Sequence, residues 1–348
     1  MKKFTSMLFS SLLAVSLIAT GCSQQPQPTA TPSGNGENQQ KETPVDKPVD
    51  YPKKPIQLVI PFAPGGDTDL NARVLAKHLE KELGQPVVVS NVTGAGGSVA
   101  TQKVKDSKAD GYTVLFHHNT MLLNNVLGVS PLSFKDFESA GIAMMDLTNT
   151  YTVSSKSKYH TLQDFIDEAK KRPNELNVAS AIANFSQLTF LAFQKETGTE
   201  FNIIDVGGGN DQKTALLADR VDLIYGTYSL VKPHVDSGEF RVLGFMSEER
   251  NPELPDIPTF KEQGVNLVYD KFFFLSFPKD TPKEIIGKFS QAMEKVSNSK
   301  EYQDDLKKLY VTPKYMPPAD AVTYLENVQK EYEKFKTDME KPVEKVNP

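Results

Sequence analysis

The sequence predicts an α/β fold of two units, each a mainly parallel sheet flanked by helices, with the chain's end returning to the first unit. Three observations predict it. From Ile56 onward, short apolar runs alternate with amphipathic runs, the grammar of βαβ units. Near residue 150 the same grammar starts again. Two strand-to-helix turns, PFAPGGDTD at 61–69 and NVTGAGGS at 91–98, are glycine-rich, and such turns lie where open α/β sheets hold ligands. The 348 residues suffice for two domains, and 39% hydrophobic content is enough to build their cores.

The elements follow in order. Residues 1–21 carry Lys2 and Lys3, then an apolar run over 7–18 interrupted by serines, then Ala19, Thr20 and Gly21. That run is short for a bilayer span and reads as a signal peptide. Cys22, the sole cysteine, stands at the cleavage point, so no disulfide is expected. The ending LIATGC resembles a bacterial lipobox, which implies cleavage before Cys22 and lipid on its sulfur and amine. Residues 22–52 are polar and proline-rich, with Pro-Val-Asp repeated at 44–46 and 48–50. A segment with so little apolar surface reads as a disordered tether.

The first unit spans 53–148. IQLVIPF is a strand, and Leu70, Val74, Ala76, Leu79 and Leu83 form a helical stripe stopped by Gly84. PVVVSN, a helix from Ser98 to Lys105, and the strand YTVLFHH complete it. The second unit spans 149–268: strand TYTVSS, a helix capped by Thr161 with Asp164, strand LNVAS, the loop AIANFS with its helix, strand FNIIDV, a helix from about Asp211 to Leu217, then VDLIYG and RVLGFM. Residues 269–348 return to the first unit with a phenylalanine-rich strand. A helix follows, with Thr281 as N-cap and Pro282 at its first position, and a last amphipathic helix covers 318–340.

The glycine turns invite a nucleotide-binding reading, which fails on spacing. No stretch has the P-loop order, since GGGNDQKT at 207–214 places its glycines wrongly, and in GAGGSV the third dinucleotide glycine is replaced by Val99. What remains is general anion chemistry. Helix N-termini present unpaired N–H donors and partial positive charge, and glycines let the backbone approach closely. SAIANFS at 180–186 is a third such turn, with Ser and Asn side chains as added donors.

Other classes have weaker support. The formal charge of -5 argues against nucleic acid, and the basic clusters at 53–54 and 170–172 are short. The chain has no HExxH or GxSxG, and no cysteine nucleophile would remain after lipidation. His117 and His118 adjoin on a strand end, so their side chains diverge and cannot share one metal, and His160 and His234 are isolated. Asp67 and Asp69 fit a cation site or an acid–base pair on paper, but aspartates at such turns commonly cap the helix. Phe272, Phe273 and Phe274 read as core. No catalytic residue, metal or cofactor is expected.

The stretch YPKKPIQLVIPFAPGGDTDLNARVLAKHLEKELGQPVVVSNVTGAGGSVATQKV resembles the tripartite tricarboxylate transporter receptors, the Bug or TctC extracytoplasmic solute-binding proteins. TLQDFIDEAKKRPNELNVAS, LLADRVDLIYG, LPDIPTFKEQGV and FPKDTPKEII extend the resemblance, in order, over 51–335. It implies a two-lobed, periplasmic-binding-protein-like (Venus flytrap) fold that closes on a small carboxylate. It further implies that Phe62, Gly65, Gly66, Asp69, Asn91, Gly94, Ala95, Gly96 and Gly97 hold one carboxylate through backbone N–H groups and ordered waters, with Asp67 and Ser98 beside them. In the second lobe, Ser180, Ala181, Asn184, Ser186 and Gly208 would meet the ligand's variable end.

Two departures stand out. Asp67 replaces a small residue, and DVGGG puts Asp205 and Gly207 where proline and lysine are common. A highly charged tricarboxylate such as citrate therefore fits less well than a mono- or dicarboxylate bearing a neutral or cationic group. The expected protein is a monomeric receptor, lipid-anchored at Cys22 on the outer face of the membrane or facing a periplasm, that delivers its ligand to a membrane permease. The long tether and the Lys/Glu-rich, Trp-free composition lean toward a monoderm host. A receptor presenting ligand to a histidine kinase is an alternative, and an exported hydrolase a remoter one. Asp67 either caps its helix or sets which carboxylate enters.

Overall fold

A computed structural model describes residues 50–181, 184–339 and 344–345. The signal peptide, Cys22 and the tether through residue 49 lie outside the described residues, as do 182 and 183 of the SAIANFS turn. Tyr51, expected to belong to the tether, is packed against the first unit instead. Tyr51 is 3% exposed, donates its hydroxyl to Gly111 O at 2.6 Å and packs on Tyr112. One aromatic ring supplies enough buried area to fix the chain there.

The first series runs β1 (Ile56–Ile60), α1 (Asp67–Leu83), β2 (Val87–Asn91), α2 (Ser98–Lys105), β3 (Thr113–His118), α3 (Thr120–Val126) and β4 (Phe137–Asp146). The second runs β5 (Asn149–Ser154), α4 (Leu162–Lys171), β6 (Asn177–Ser180), α5 (Phe185–Thr197), β7 (Asn202–Asp205), α6 (Gly209–Leu217), β8 (Leu223–Thr227), α7 (Tyr228–Asp236) and β9 (Phe240–Phe245). The return comprises β10 (Lys271–Pro278), α8 (Lys283–Ser297), α9 (Lys300–Lys307), β11 (Thr312–Met316), α10 (Pro318–Glu333), α11 (Lys336–Met339) and β12 (Glu344–Lys345).

Two six-stranded sheets result, ordered β11-β4-β10-β3-β1-β2 and β12-β7-β6-β8-β5-β9. The predicted parallel ladders are present as β2-β1-β3 and β7-β6-β8. Each sheet is nevertheless mixed: β10 lies antiparallel between β3 and β4, β11 pairs antiparallel with β4, and β5 runs antiparallel to β8 and β9. The reason is connectivity. β4, β5 and β10 flank the crossings between sheets, and such strands are not bound by the helical crossover that makes neighbours parallel. β12 pairs with β7, so the last described residues lie on the second sheet instead of staying with the first.

Burial explains the strands. β1 buries every residue except the intermediate Gln57, as a central strand covered on both faces must. Phe272, Phe273 and Phe274 are fully buried, and Phe273 stacks on Phe116 at 5.2 Å. α1 ends where predicted, at left-handed Gly84. Its buried face is rotated from the predicted stripe: Leu70 is 40% exposed, while Asp69, Ala72, Leu75, Ala76 and Leu79 point inward. α4 carries the predicted capping box of Thr161 and Asp164. α8 starts one residue later than expected, because Pro282 O accepts the first helical bond and the Thr281 hydroxyl donates back to Pro278 O.

Candidate functional site

The turn from β1 to α1 is built around a carboxylate belonging to the protein itself. Asp69 Oδ2 accepts the Gly65 N–H at 2.9 Å and Arg73 Nε at 2.9 Å, while Oδ1 accepts Asn91 Nδ2 at 3.0 Å. The Asn91 amide also donates to Phe62 O at 2.9 Å. Asn91 ends β2, so these bonds tie the two glycine turns together. Burial raises the Asp69 pKa, but the bonds from Arg73, Gly65 and Asn91 outweigh it and the carboxyl titrates below its ordinary value. Asp69 therefore acts as an internal brace.

The second turn closes on itself. Gly97 N–H donates to Gly94 O at 2.9 Å, and Asn124 Nδ2 donates to Gly96 O at 2.8 Å. Gly97 has φ +100, and a Cβ there would lie 3.0 Å from both His117 Nε2 and Pro61 Cβ. Around this turn Ser98 Oγ, His117 Nε2 and Asn124 Oδ1 are buried without a hydrogen-bond partner among the described residues.

A cavity of about 270 Å³ opens where strand ends of both sheets face each other. Phe62, Gly66, Asp67 and Thr68 line it from the first turn, and His118 from the end of β3. Opposite stand Asn184 and Ser186 at the start of α5, residues 208–212 at the start of α6, and Tyr225, Gly226 and Thr227 at the end of β8. Leu230 and Lys271 complete the wall. Three helices, α1, α5 and α6, thus begin at one cavity, and first-turn amides have no intrahelical acceptor.

Of the residues the sequence singled out, Phe62, Gly66, Asp67, Asn184, Ser186 and Gly208 meet at the cavity. Gly65 and Asp69 lie behind the first turn, and Gly94, Ala95, Gly96, Gly97 and Ser98 are not on the cavity wall. Ser180 and Ala181 support it from behind: the Ser180 and Ser186 hydroxyls pair at 2.9 Å, and Ala181 N–H donates to Ser186 Oγ. Asp205 does not line it either.

Asp67 neither caps α1 nor stands alone. Gly66 occupies the cap position without a side-chain bond, and Asp67 Oδ2 accepts from Lys271 Nζ. The turns at 61–69 and 91–98 contain no basic residue, but the cavity has one. Lys271, 8% exposed, opens β10 and arrives from 204 residues away in sequence. Its only local signal was a lysine abutting a phenylalanine run that the fold buries, DKFFF. His118 was also missed. Its ring stacks on Phe62 at 4.6 Å, and burial, then Lys271 and His117, hold its pKa well below the usual value, so it is neutral. His117 is pushed down to about 4 by burial. Across the cavity Asp211 Oδ2 accepts the Gly208 N–H at 3.0 Å. Beneath Lys271, in register across the sheet, Asp146 is fully buried, with Oδ1 accepting the Thr148 N–H and hydroxyl.

The chemistry this wall supports is binding. It offers backbone N–H groups, hydroxyls, a neutral imidazole and one compensated ammonium. Among the described residues no group of three or more His, Cys, Asp and Glu side chains could hold a metal ion.

Residues 71–340 match the sequence profile of the Tripartite tricarboxylate transporter family receptor. Protein BugT of Bordetella pertussis is 34% identical over 255 residues, covering 72% of this chain and 78% of its own. A solved R. palustris structure with adipate is 26% identical with a TM-score of 0.77, over 85% of this chain and all of that one. The periplasmic binding protein BugD is 25% identical with a TM-score of 0.75 over the same shares. With a profile spanning most of the chain, a relative 34% identical over 72% of it and the two-sheet architecture in common, this chain belongs to the tripartite tricarboxylate transporter receptor family, the TctC/Bug solute-binding proteins.

Proposed function

We propose that this receptor captures a small carboxylate outside the cytoplasm, closes its two lobes around it and delivers it to a tripartite tricarboxylate transporter permease. The observation that carries this reading is the convergence of three helix N-termini, two from one lobe and one from the other, on one cavity of about 270 Å³. Such termini favour anions without committing a buried ion pair. Closure excludes water, and the N–H groups then act in a lower effective dielectric, so affinity rises with closure and falls when the lobes reopen. The cavity admits only a small molecule, and the adipate held by the R. palustris relative is one of that class.

The glycine turn at 94–97 backs the first-lobe subsite without reaching the cavity wall, with Ser98 Oγ and His117 Nε2 beside it as polar groups without a hydrogen-bond partner among the described residues. Lipid on Cys22 holds the protein at the membrane, and the segment from 22 to Asp50 gives the lobes reach to the permease. No step of the reading involves catalysis.

The test is calorimetric titration of the exported protein with mono-, di- and tricarboxylates of graded length. One-to-one saturable binding by a small carboxylate is expected. A folded protein that binds none of them, or binds their uncharged amides equally well, refutes the reading.

A further inference from the structure

We propose that the Asp67–Lys271 pair selects the ligand's charge pattern: a small carboxylate that also carries an ammonium group, in preference to a dicarboxylate of the same length. The inference rests on the carboxylate-capture reading and adds the identity of the ligand's second end.

Both residues line the cavity, with Asp67 opening α1 and Lys271 opening β10. The pairing leaves an asymmetry. Lys271 Nζ takes Asp67 Oδ2, while Asp67 Oδ1 has nothing closer than the Thr68 hydroxyl at 3.5 Å. An incoming ammonium can therefore bind Oδ1 without disturbing Lys271. A second carboxylate at the same place would have to share the one Lys271 ammonium with Asp67 and stand beside it as a like charge in a closing, water-poor cavity.

The surroundings reinforce the preference. Asp146, fully buried behind the wall, lies in register with Lys271, so the Lys271 ammonium has a second carboxylate near it beside Asp67, with His118 neutral next to them. The opposite end is where a carboxylate is better served. There Ser186 and the first turns of α5 and α6 face the cavity, and Asp211 is engaged by the Gly208 N–H. Apart from balancing the nearly buried Lys271 charge, Asp67 has no role in holding its own turn or helix. Asp69 already braces the turn, and Asp67 makes no cap bond.

The experiment compares 6-aminohexanoate with adipate, and shorter homologues of each, by calorimetry on the exported protein. The expected result is that, at the length that fits, the amino-carboxylate binds at least about tenfold more tightly than the diacid. Asp67→Asn, which keeps an acceptor for Lys271 but removes the charge, should reverse the order. A diacid tighter than its amino counterpart in the wild type overturns the inference while leaving carboxylate capture intact, as does a ratio unmoved by Asp67→Asn. If neither series binds, or if hexylamine matches 6-aminohexanoate, carboxylate capture itself fails. The wild-type comparison is decisive even if the variant does not fold.

Discussion

Replacing Asp69 with alanine tests whether the two glycine turns are held as one unit. The carboxylate accepts three hydrogen bonds, from the Gly65 N–H, Arg73 and Asn91, and its side chain is nearly buried. The Arg73 side chain is 52% exposed and recovers its solvation when released. Gly65 is exposed and Asn91 half-buried, but the bonds they make to Asp69 are partly shielded from water, so these donors recover less. Two orphaned donors at about 1–2 kcal/mol each give a loss of about 2–4 kcal/mol. At about 2 °C per kcal/mol for a domain of this size, the midpoint of thermal unfolding should fall by about 4–8 °C. Asp69→Asn, which keeps one acceptor, should fall by about half as much.

The pH dependence gives a second readout. The folded pKa is lowered, so the stabilisation is fully present above the unfolded value near ~4 and is lost as pH falls through the folded pKa. The gap between wild type and Asp69→Asn in denaturant titrations should hold constant from about pH 7 to about pH 5 and close under more acid conditions. A gap below about 0.5 kcal/mol at neutral pH, or one that persists unchanged in acid, would refute the brace.

Other outcomes follow from the same geometry. Asp146, pushed up to about 6 by burial against the opposing bonds from Thr148, binds its proton more tightly in the folded state. Wild-type stability should therefore fall by up to about 3 kcal/mol as pH rises from about 4 through about 6. Asp146→Asn should flatten that segment in urea titrations; an unchanged slope would show that another group titrates there. Gly97→Ala forces a Cβ at positive φ against His117 and Pro61, and calorimetric unfolding should show a loss of about 1–3 kcal/mol. Wild-type stability in that variant would mean the turn yields freely. On the proposal that Cys22 carries the lipid anchor, Cys22→Ser should move the protein from the membrane pellet to the soluble fraction and remove the lipid mass from its N-terminal peptide. Retention in the pellet would place the anchor elsewhere.

The local order of the chain was legible in the sequence because its signals are local. Apolar runs such as IQLVI, the Thr161–Asp164 box and the stop at Gly84 act over a few residues, and each formed as read. The glycines marked both special turns, and the resemblance named the family that the comparisons bear out. The face of α1 was harder. Leu70 was expected to point inward, and Asp69 does so instead, because its three donors come from the turn, the helix and β2 together.

What the tertiary structure decided lies in the contents of the cavity. By composition Asp67 reads as a helix-end acid and Lys271 as a charge at the margin of a strand. Only the placement of β10 beside β3 sets them together across 204 residues, over Asp146 and next to His118. The sheet likewise makes His118 at the end of β3 a wall of the site, and the tertiary fold seats Gly97 against His117 and ties Gly96 to Asn124. A strand's neighbour in a sheet is chosen by the whole chain's connectivity and packing, and the charge a ligand meets depends on that choice.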